Sequence, residues 1–201
     1  MHKMDGVFGT LVPYVHLTCV SVTSPFPLGS IAKSFAVFGR LPDGPAADVD
    51  VAELLRYATR ATIPPTMTVE LDLREPLPFV LGHHDPLSRA VSNILLNAID
   101  AAGSQGTITV SADVIAAPVP SVRVRVRDSG TGIAPAQLSR IWEPYVTAKA
   151  GGTGLGLAIV KQTILAHGGE VSADSDVGHG TTITLTLPVA GVTPGSDGQH
   201  E

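Results

Sequence analysis

One cysteine, Cys19, stands in a chain of 201 residues. A single thiol excludes an internal disulfide and fits a reducing compartment. It lies in an apolar stretch, where a thiol packs as a small hydrophobe. Clusters of Lys and Arg are also missing and the net charge is −5, which removes the basic footprint that nucleic acid requires. No apolar run is long enough for a membrane. Val7 to Val22 comes nearest, but Pro13 and His16 interrupt it, and it falls short of the roughly 20 residues a spanning helix needs. The start of the chain is thinly basic and has no clear small-residue cleavage site, so it does not read as a signal peptide. Charged residues make up only 15% and apolar ones 44%, with a mean hydropathy of +0.27. What remains is a globular chain expected in the cytoplasm, with no membrane contact of its own. A domain of about 150 residues buries roughly two-thirds of its unfolded surface and needs no staples.

Residues 1–30 keep no sustained period, and Ser24-Pro25-Phe26-Pro27 breaks any helix there. Ile31 to Arg40 reads as helical, stopped by Leu41-Pro42-Asp43-Gly44-Pro45. Asp50 caps a helix from Val51 to Arg60, with Glu53 placed as in a capping box. Beyond it the spacing predicts a strand over Met67–Leu73, an extended piece over Leu77–Leu81 and a helix from Asp85 or Pro86 to Ala102, closed by Gly103. Strands follow over Thr107–Val114 and Val122–Arg127, then a helix over Pro135–Trp142 and a loop over Glu143–Thr153. A helix over Gly154–His167 and strands over Glu170–Ser175 and Thr182–Leu187 complete the pattern. His167 falls at a helix C-terminus, where a cation suits the dipole, and His83 and His84 read as turn or capping residues. The mixture of strands and helices indicates an α+β fold built as a two-layer sandwich, with helices on one face of a mixed sheet.

Certain segments carry chemistry. At 100 degrees per residue, Arg89, Asn93, Asn97 and Asp100 fall within about 80 degrees of one another, and Leu87, Val91, Ile94, Ala98 and Ala102 lie opposite. The stripe is either a solvated face or a ligand face. Asn is a poor helix former, so Lys, Glu or Gln would hold a solvated face at less cost, and an amide oxygen suits a hard cation such as Mg²⁺. Asp128 ends a strand before Ser129-Gly130-Thr131-Gly132-Ile133. It is either an ordinary turn residue or an acceptor for an exocyclic amine beside glycines that admit a flat ring. Gly151-Gly152-Thr153-Gly154-Leu155-Gly156 opens a helix; it is either a linker or an anion site of backbone N–H groups, with Lys149 adding charge. The run has neither the Gly-Lys-Ser/Thr of a P-loop nor the dinucleotide fingerprint after a strand.

Read together, these residues resemble the ATP-binding catalytic domain of sensor histidine kinases, within the superfamily that includes DNA gyrase. Asn93-Ile94-Leu95-Leu96-Asn97-Ala98-Ile99-Asp100-Ala101 is similar to the N box, and Asp128 to Ile133 to the first glycine box. Ile141-Trp142-Glu143-Pro144-Tyr145-Val146-Thr147-Ala148-Lys149 is similar to the F box, with Trp142 where phenylalanine is usual. Gly152 to Val160 is similar to the second glycine box, and Gly178-His179-Gly180-Thr181-Thr182 to the final glycine turn. The resemblance covers about residues 48–189 and implies a Bergerat-type ATP-binding fold. It also implies ATP and Mg²⁺ as cofactors, with Asn93 and Asn97 as the metal-holding pair and Asp100 beside them. Asp128 would take the adenine amine, with Gly130, Gly132 and Ile133 beside the base and Thr181 nearby. Gly152, Thr153, Gly154, Leu155 and Gly156, with Lys149, would take the β- and γ-phosphates under a lid. No acid–base catalytic residue is implied within the chain. The ATP-hydrolysing branch has a glutamate where Asn93 stands, and an amide is no general base at neutral pH.

Lys33 to Pro42 is similar to the end of the second dimerisation helix in the nitrogen-regulation branch of these kinases. The phosphoacceptor histidine box is then expected ahead of Met1, with residues 1–30 unrelated to the family, 31–47 a helix remnant and linker, and 190–201 a flexible tail. His16 is followed by Leu17-Thr18-Cys19, which is not the acceptor pattern. The implied partners are a histidine-bearing dimerisation domain of another chain and a response regulator, with no nucleic acid. Two other readings stay open at this point: a non-catalytic ATP-binding module, and a serine kinase of the anti-sigma-factor type.

Overall fold

Residues 44–116, 118–149 and 151–191 are described by the structure, a computed structural model. The expectations for residues 1–30, for the helix over Ile31–Arg40 and for the tail from 192 onward lie outside these residues. The elements in chain order are β1 (Ala47–Val49), α1 (Val51–Thr62), β2 (Thr68–Leu73), β3 (Val80–Gly82), α2 (His84–Ala102), β4 (Thr107–Ile115), β5 (Ser121–Asp128), α3 (Pro135–Leu138), α4 (Gly156–Ala166), β6 (Glu170–Asp176) and β7 (Gly180–Pro188).

Alternation along the central strands decides the layering. Val122, Val124 and Val126 of β5 are buried, and Arg123, Arg125 and Arg127 point the other way. Ile108, Val110 and Ala112 of β4 and Ile183, Leu185 and Leu187 of β7 join the buried face. The sheet runs β2-β4-β5-β7-β6, parallel only between β2 and β4. β1 and β3 form a separate antiparallel pair. The helices cover the apolar face, giving the mixed-sheet α+β sandwich that the pattern predicts and the Bergerat type that the resemblance implies.

Each helix is fixed by local chemistry. The Asp50 carboxylate accepts the Glu53 N–H at 3.0 Å and starts α1, which ends where Ile63 precedes Pro64. α2 buries Leu87, Ala90, Val91, Ile94, Leu95 and Ala98 along one stripe. It begins one residue earlier than Asp85, because Pro86 lies in the first turn, where no intrahelical N–H is required.

Other boundaries shift for identifiable reasons. The helix expected over Pro135–Trp142 stops at Leu138. Beyond it, the Arg140 and Glu143 N–H groups reach back only three residues, to the Gln137 and Arg140 carbonyls. The helix expected from Gly154 starts at Gly156, since Gly154 has φ +65° and a Cβ there would lie 2.6 Å from the Tyr145 carbonyl carbon. The extended piece expected over Leu77–Leu81 becomes β3 at Val80–Gly82, past Pro78, which has no N–H to pair. On the outer face Asp113 and Arg123 are cross-strand partners. Arg123 Nε donates to Asp113 Oδ1 at 3.0 Å and its second donor reaches Oδ2. This bidentate hydrogen bonding holds the Asp113 carboxyl below its ordinary value.

His167 departs from its sequence reading. Its Nδ1–H donates to the Thr163 carbonyl at 2.7 Å, and its Nε2 accepts the His83 N–H at 3.0 Å. A ring that accepts at Nε2 is neutral, and burial pushes its pKa below 6.5. It is therefore a polar strut between α4 and the start of α2 rather than a cation on the helix dipole. The ring stands edge-on to His83, with centroids 5.8 Å apart.

Leu95→Ala, in the fully buried part of α2, is expected to lower the unfolding free energy by about 2–5 kcal/mol in urea titrations. Because its folded pKa is depressed, His167 contributes stability above pH 6.5 that is lost as pH falls through the folded value. His167→Gln, which keeps an acceptor without titrating, removes that part of the pH dependence in denaturant melts.

Candidate functional site

A cleft of about 460 Å³ opens between α2, the ends of β5 and β7, and the segment that leads into α4. Ile94, Ala98, Val126, Ile133, Ile141, Leu157 and Ile183 give it apolar walls. Size and lining suit a small organic ligand with a flat apolar portion and a few fixed polar contacts.

Asp128 supplies one polar cluster. Its Oδ1 accepts the Gly130 N–H at 2.8 Å and the Thr181 N–H at 3.3 Å, and the carboxylate lines the cleft. Burial raises its pKa, and the N–H groups of Gly130, Thr181 and Asp128 itself, with the charge of Arg127, work against that rise. A carboxylate has about four acceptor sites, so Asp128 keeps capacity for a further donor in the cleft. Ser175 braces the surroundings: its hydroxyl accepts the Ile133 N–H at 2.8 Å, donates to the Gly180 carbonyl at 2.9 Å and lies 3.0 Å from Thr181 Oγ1. Gly132 lines the cleft with φ +68°, and a Cβ there would sit 2.0 Å from the Asp176 carbonyl oxygen.

Asn97, Asp100 and Lys149 form the second cluster. The Lys149 ammonium donates to Asn97 Oδ1 at 3.1 Å and to Asp100 Oδ2. α2 delivers both oxygens from its polar stripe, opposite the stripe that packs on the sheet.

A family described as histidine kinase-, DNA gyrase B-, and HSP90-like ATPase matches residues 82–191. The chain belongs to this ATPase family. It is 40% identical to the sensor histidine kinase ZraS of Escherichia coli K12 over 145 residues, 70% of this chain and 30% of that protein. It is 31% identical to the nitrogen regulation protein NtrY of Azorhizobium caulinodans over 184 residues, 82% of this chain and 22% of NtrY. Thus it spans less than a third of the length of these curated relatives. Among solved structures, full-length ShkA in complex with AMPPNP superposes with a TM-score of 0.68 at 30% identity, covering 78% of this chain and 34% of ShkA. The mycobacterial sensor histidine kinase MprB superposes at 0.62 and 29% identity, covering 72% of this chain and 97% of that structure.

Within this ATPase domain the sequence-identified residues divide. Asn97, Asp100, Asp128, Gly132, Ile133, Lys149 and Thr181 meet in the cleft wall. Asn93 lies one turn earlier on the α2 stripe, and Gly130 packs against the Ala101 backbone rather than lining the cleft. Gly152, Thr153, Gly154 and Leu155 belong to the segment above it, and Gly156 lies beside Asn97, with its Cβ position 3.8 Å from Nδ2. Gln137 and Arg140 also line the cleft, and the sequence reading did not single them out. Their i, i+3 spacing puts them on one side of the helix expected over Pro135–Trp142, and nothing else in the sequence marks them. Arg140 Nε donates to Glu143 Oε2 at 3.2 Å.

The donor chemistry fits a hard cation. Asn97 Oδ1 and Asp100 Oδ2 already share a positive group, the Lys149 ammonium. Among the described residues no cluster of His, Cys, Asp and Glu could hold a metal by itself. No helix of the described residues is long and apolar enough to cross a membrane.

Asp128→Asn tests the cost of the buried charge. The raised folded pKa means that ionisation penalises the fold, fully above that pKa and not at all below the ordinary 3.8. The variant, still able to accept both N–H groups, is expected to be more stable than the native chain at pH 7. This advantage vanishes as pH falls toward 3.8, as read from denaturant midpoints across pH.

Proposed function

We propose that this chain is the ATP-binding catalytic domain of a two-component sensor histidine kinase, with residues 48–189 as the catalytic unit. It would present the ATP γ-phosphate to a histidine on a dimerisation domain of another chain. The supporting observation is the meeting, in one cleft, of Asn97 and Asp100 from α2, Asp128 from the end of β5, Thr181 from β7 and Lys149 from the lid. Kinship with proteins named as sensor histidine kinases supports the branch.

The roles follow from each group's chemistry. Asp128, anchored through Oδ1, would accept the exocyclic amine of adenine with its remaining acceptor capacity. Gly132, held at φ +68° against the Asp176 carbonyl, would border the ring between the apolar walls. The N–H groups from Gly152 to Gly156, with the Lys149 ammonium, would hold the β- and γ-phosphates. Asn97, with Asn93, would hold a magnesium ion, which when bound neutralises phosphate charge. The remaining work is positioning, because phosphoryl transfer asks the protein for orientation and charge stabilisation. Asn93 stands where a hydrolysing relative carries glutamate, so no side chain there can activate water. This favours transfer to a protein histidine, with a response-regulator aspartate as the onward acceptor and the cytoplasm as the place of action.

The deciding experiment incubates the chain with γ-labelled ATP and a separately prepared dimerisation domain bearing the acceptor histidine. Acid-labile, base-stable label on that histidine is expected. Asn97→Asp should reduce its formation on the order of 10²-fold, the scale of losing one transition-state contact. ATP binding without transfer would overturn the kinase reading in favour of a binding module, and acid-stable label would move it to the serine kinases.

A further inference from the structure

The contact between Lys149 and α2 carries a consequence for how the site opens, which rests on the nucleotide reading above. Lys149 lies 52 positions from Asn97 and 49 from Asp100, so its ammonium ties the segment ahead of α4 to the middle of α2. Among the described residues, bonds within that segment include Lys149 N–H to Thr147 Oγ1 at 3.0 Å, Gly152 N–H to the Lys149 carbonyl at 3.1 Å and Leu155 N–H to Thr153 Oγ1 at 3.4 Å. An ammonium has donors only. While it sits on Asn97 Oδ1 and Asp100 Oδ2, those oxygens are taken by a positive charge that belongs to the protein.

We propose that Lys149 is a resident cation in the nucleotide-free chain, latching the lid to Asn97 and Asp100 until nucleotide and divalent cation displace it. With two of its three donors on α2, the ammonium keeps one for a phosphate, so engaging phosphate oxygens fully requires it to leave α2 and gives it two alternative seats. Asp100 is the counter-charge of the first seat. An unneutralised carboxylate beside an incoming polyphosphate would repel it, and either Lys149 or a divalent cation removes that repulsion. The latch is weak by construction. The side chains of Lys149 and Asp100 are 43% and 55% exposed, and ion pairs of that kind shift an equilibrium only a few-fold. A stronger pair would hold the site shut against its ligand.

Trypsin reads the latch directly, because cleavage after Lys149 requires its side chain to leave α2 and enter the protease. Nucleotide-free native chain and Asp100→Asn are digested side by side, with cleavage after Lys161 in α4 as internal reference. Asp100→Asn is expected to speed cleavage after Lys149 by about two- to fivefold and to leave the reference unchanged. Magnesium chloride alone, against sodium chloride of equal ionic strength, is expected to speed the same cleavage in the native chain and not in the variant. Equal cleavage rates in both chains, or a magnesium effect that survives in Asp100→Asn, would overturn the latch. Calorimetry with ATP on the same samples separates the two readings. Loss of ATP binding with the cleavage pattern intact would strike at the nucleotide site, and ATP binding with unaltered cleavage at the latch.

Discussion

A single carboxylate oxygen, Asp128 Oδ1, holds the glycine turn after β5 and the start of β7 at one point. It takes one N–H from the glycine turn that follows β5 and another from Thr181 at the start of β7. Both bonds are charge-assisted when the carboxylate is ionised, and they offset part of the cost of holding a charge in a buried place. They also fix the side chain's orientation, which gives its remaining acceptor capacity a defined aim. The glycine turn, the Ser175 hydroxyl and the Gly180 carbonyl are arranged around this anchor. Stability and recognition oppose each other at this residue, as is common where a site needs a charge that the fold would rather not bury.

α2 divides its surface between two tasks. One stripe supplies Leu87, Val91, Ile94, Leu95 and Ala98 to the core, and the other carries Asn93, Asn97 and Asp100 to the ligand side. The rigid packing of the first stripe gives the second its precision, because side chains on a well-buried helix are held more closely than side chains on a loop. His167 adds a brace at the start of this helix, accepting the His83 N–H from the end of α4. The two helices that flank the cleft are thereby joined by a hydrogen bond as well as by packing.

Much of this was legible in the sequence because it depends on period and punctuation. The alternation of Val122, Arg123, Val124, Arg125 and Val126 assigns the faces of β5, and Asp50 with Glu53 marks the start of α1. The stripe of α2 could be drawn from a helical wheel. Less legible was whatever depends on contacts distant in sequence. Nothing local shows that Gly154 must take a left-handed conformation against Tyr145, so the start of α4 was placed too early. The tightening of the chain after Leu138 places Arg140 near Gln137 at the cleft wall by a change of turn type that periodicity does not reveal. His167 looked like a cation at a helix end, and only the amide of His83, far away in the chain, shows it to be an acceptor.

The hydrogen bond from the Tyr145 N–H to the Gly154 carbonyl, 2.9 Å long, closes the neck of the segment over residues 146–153. A loop with its ends already joined has lost much of its freedom before any ligand arrives, since the entropy of closure depends on the length left free. Ordering such a segment over a nucleotide therefore costs less than ordering an open chain of the same composition. The two residues that make the neck are both left-handed, Tyr145 with φ 64° and Gly154 with φ 65°. Changes at those two residues would alter how fast the cleft exchanges its contents before they altered what the cleft can hold.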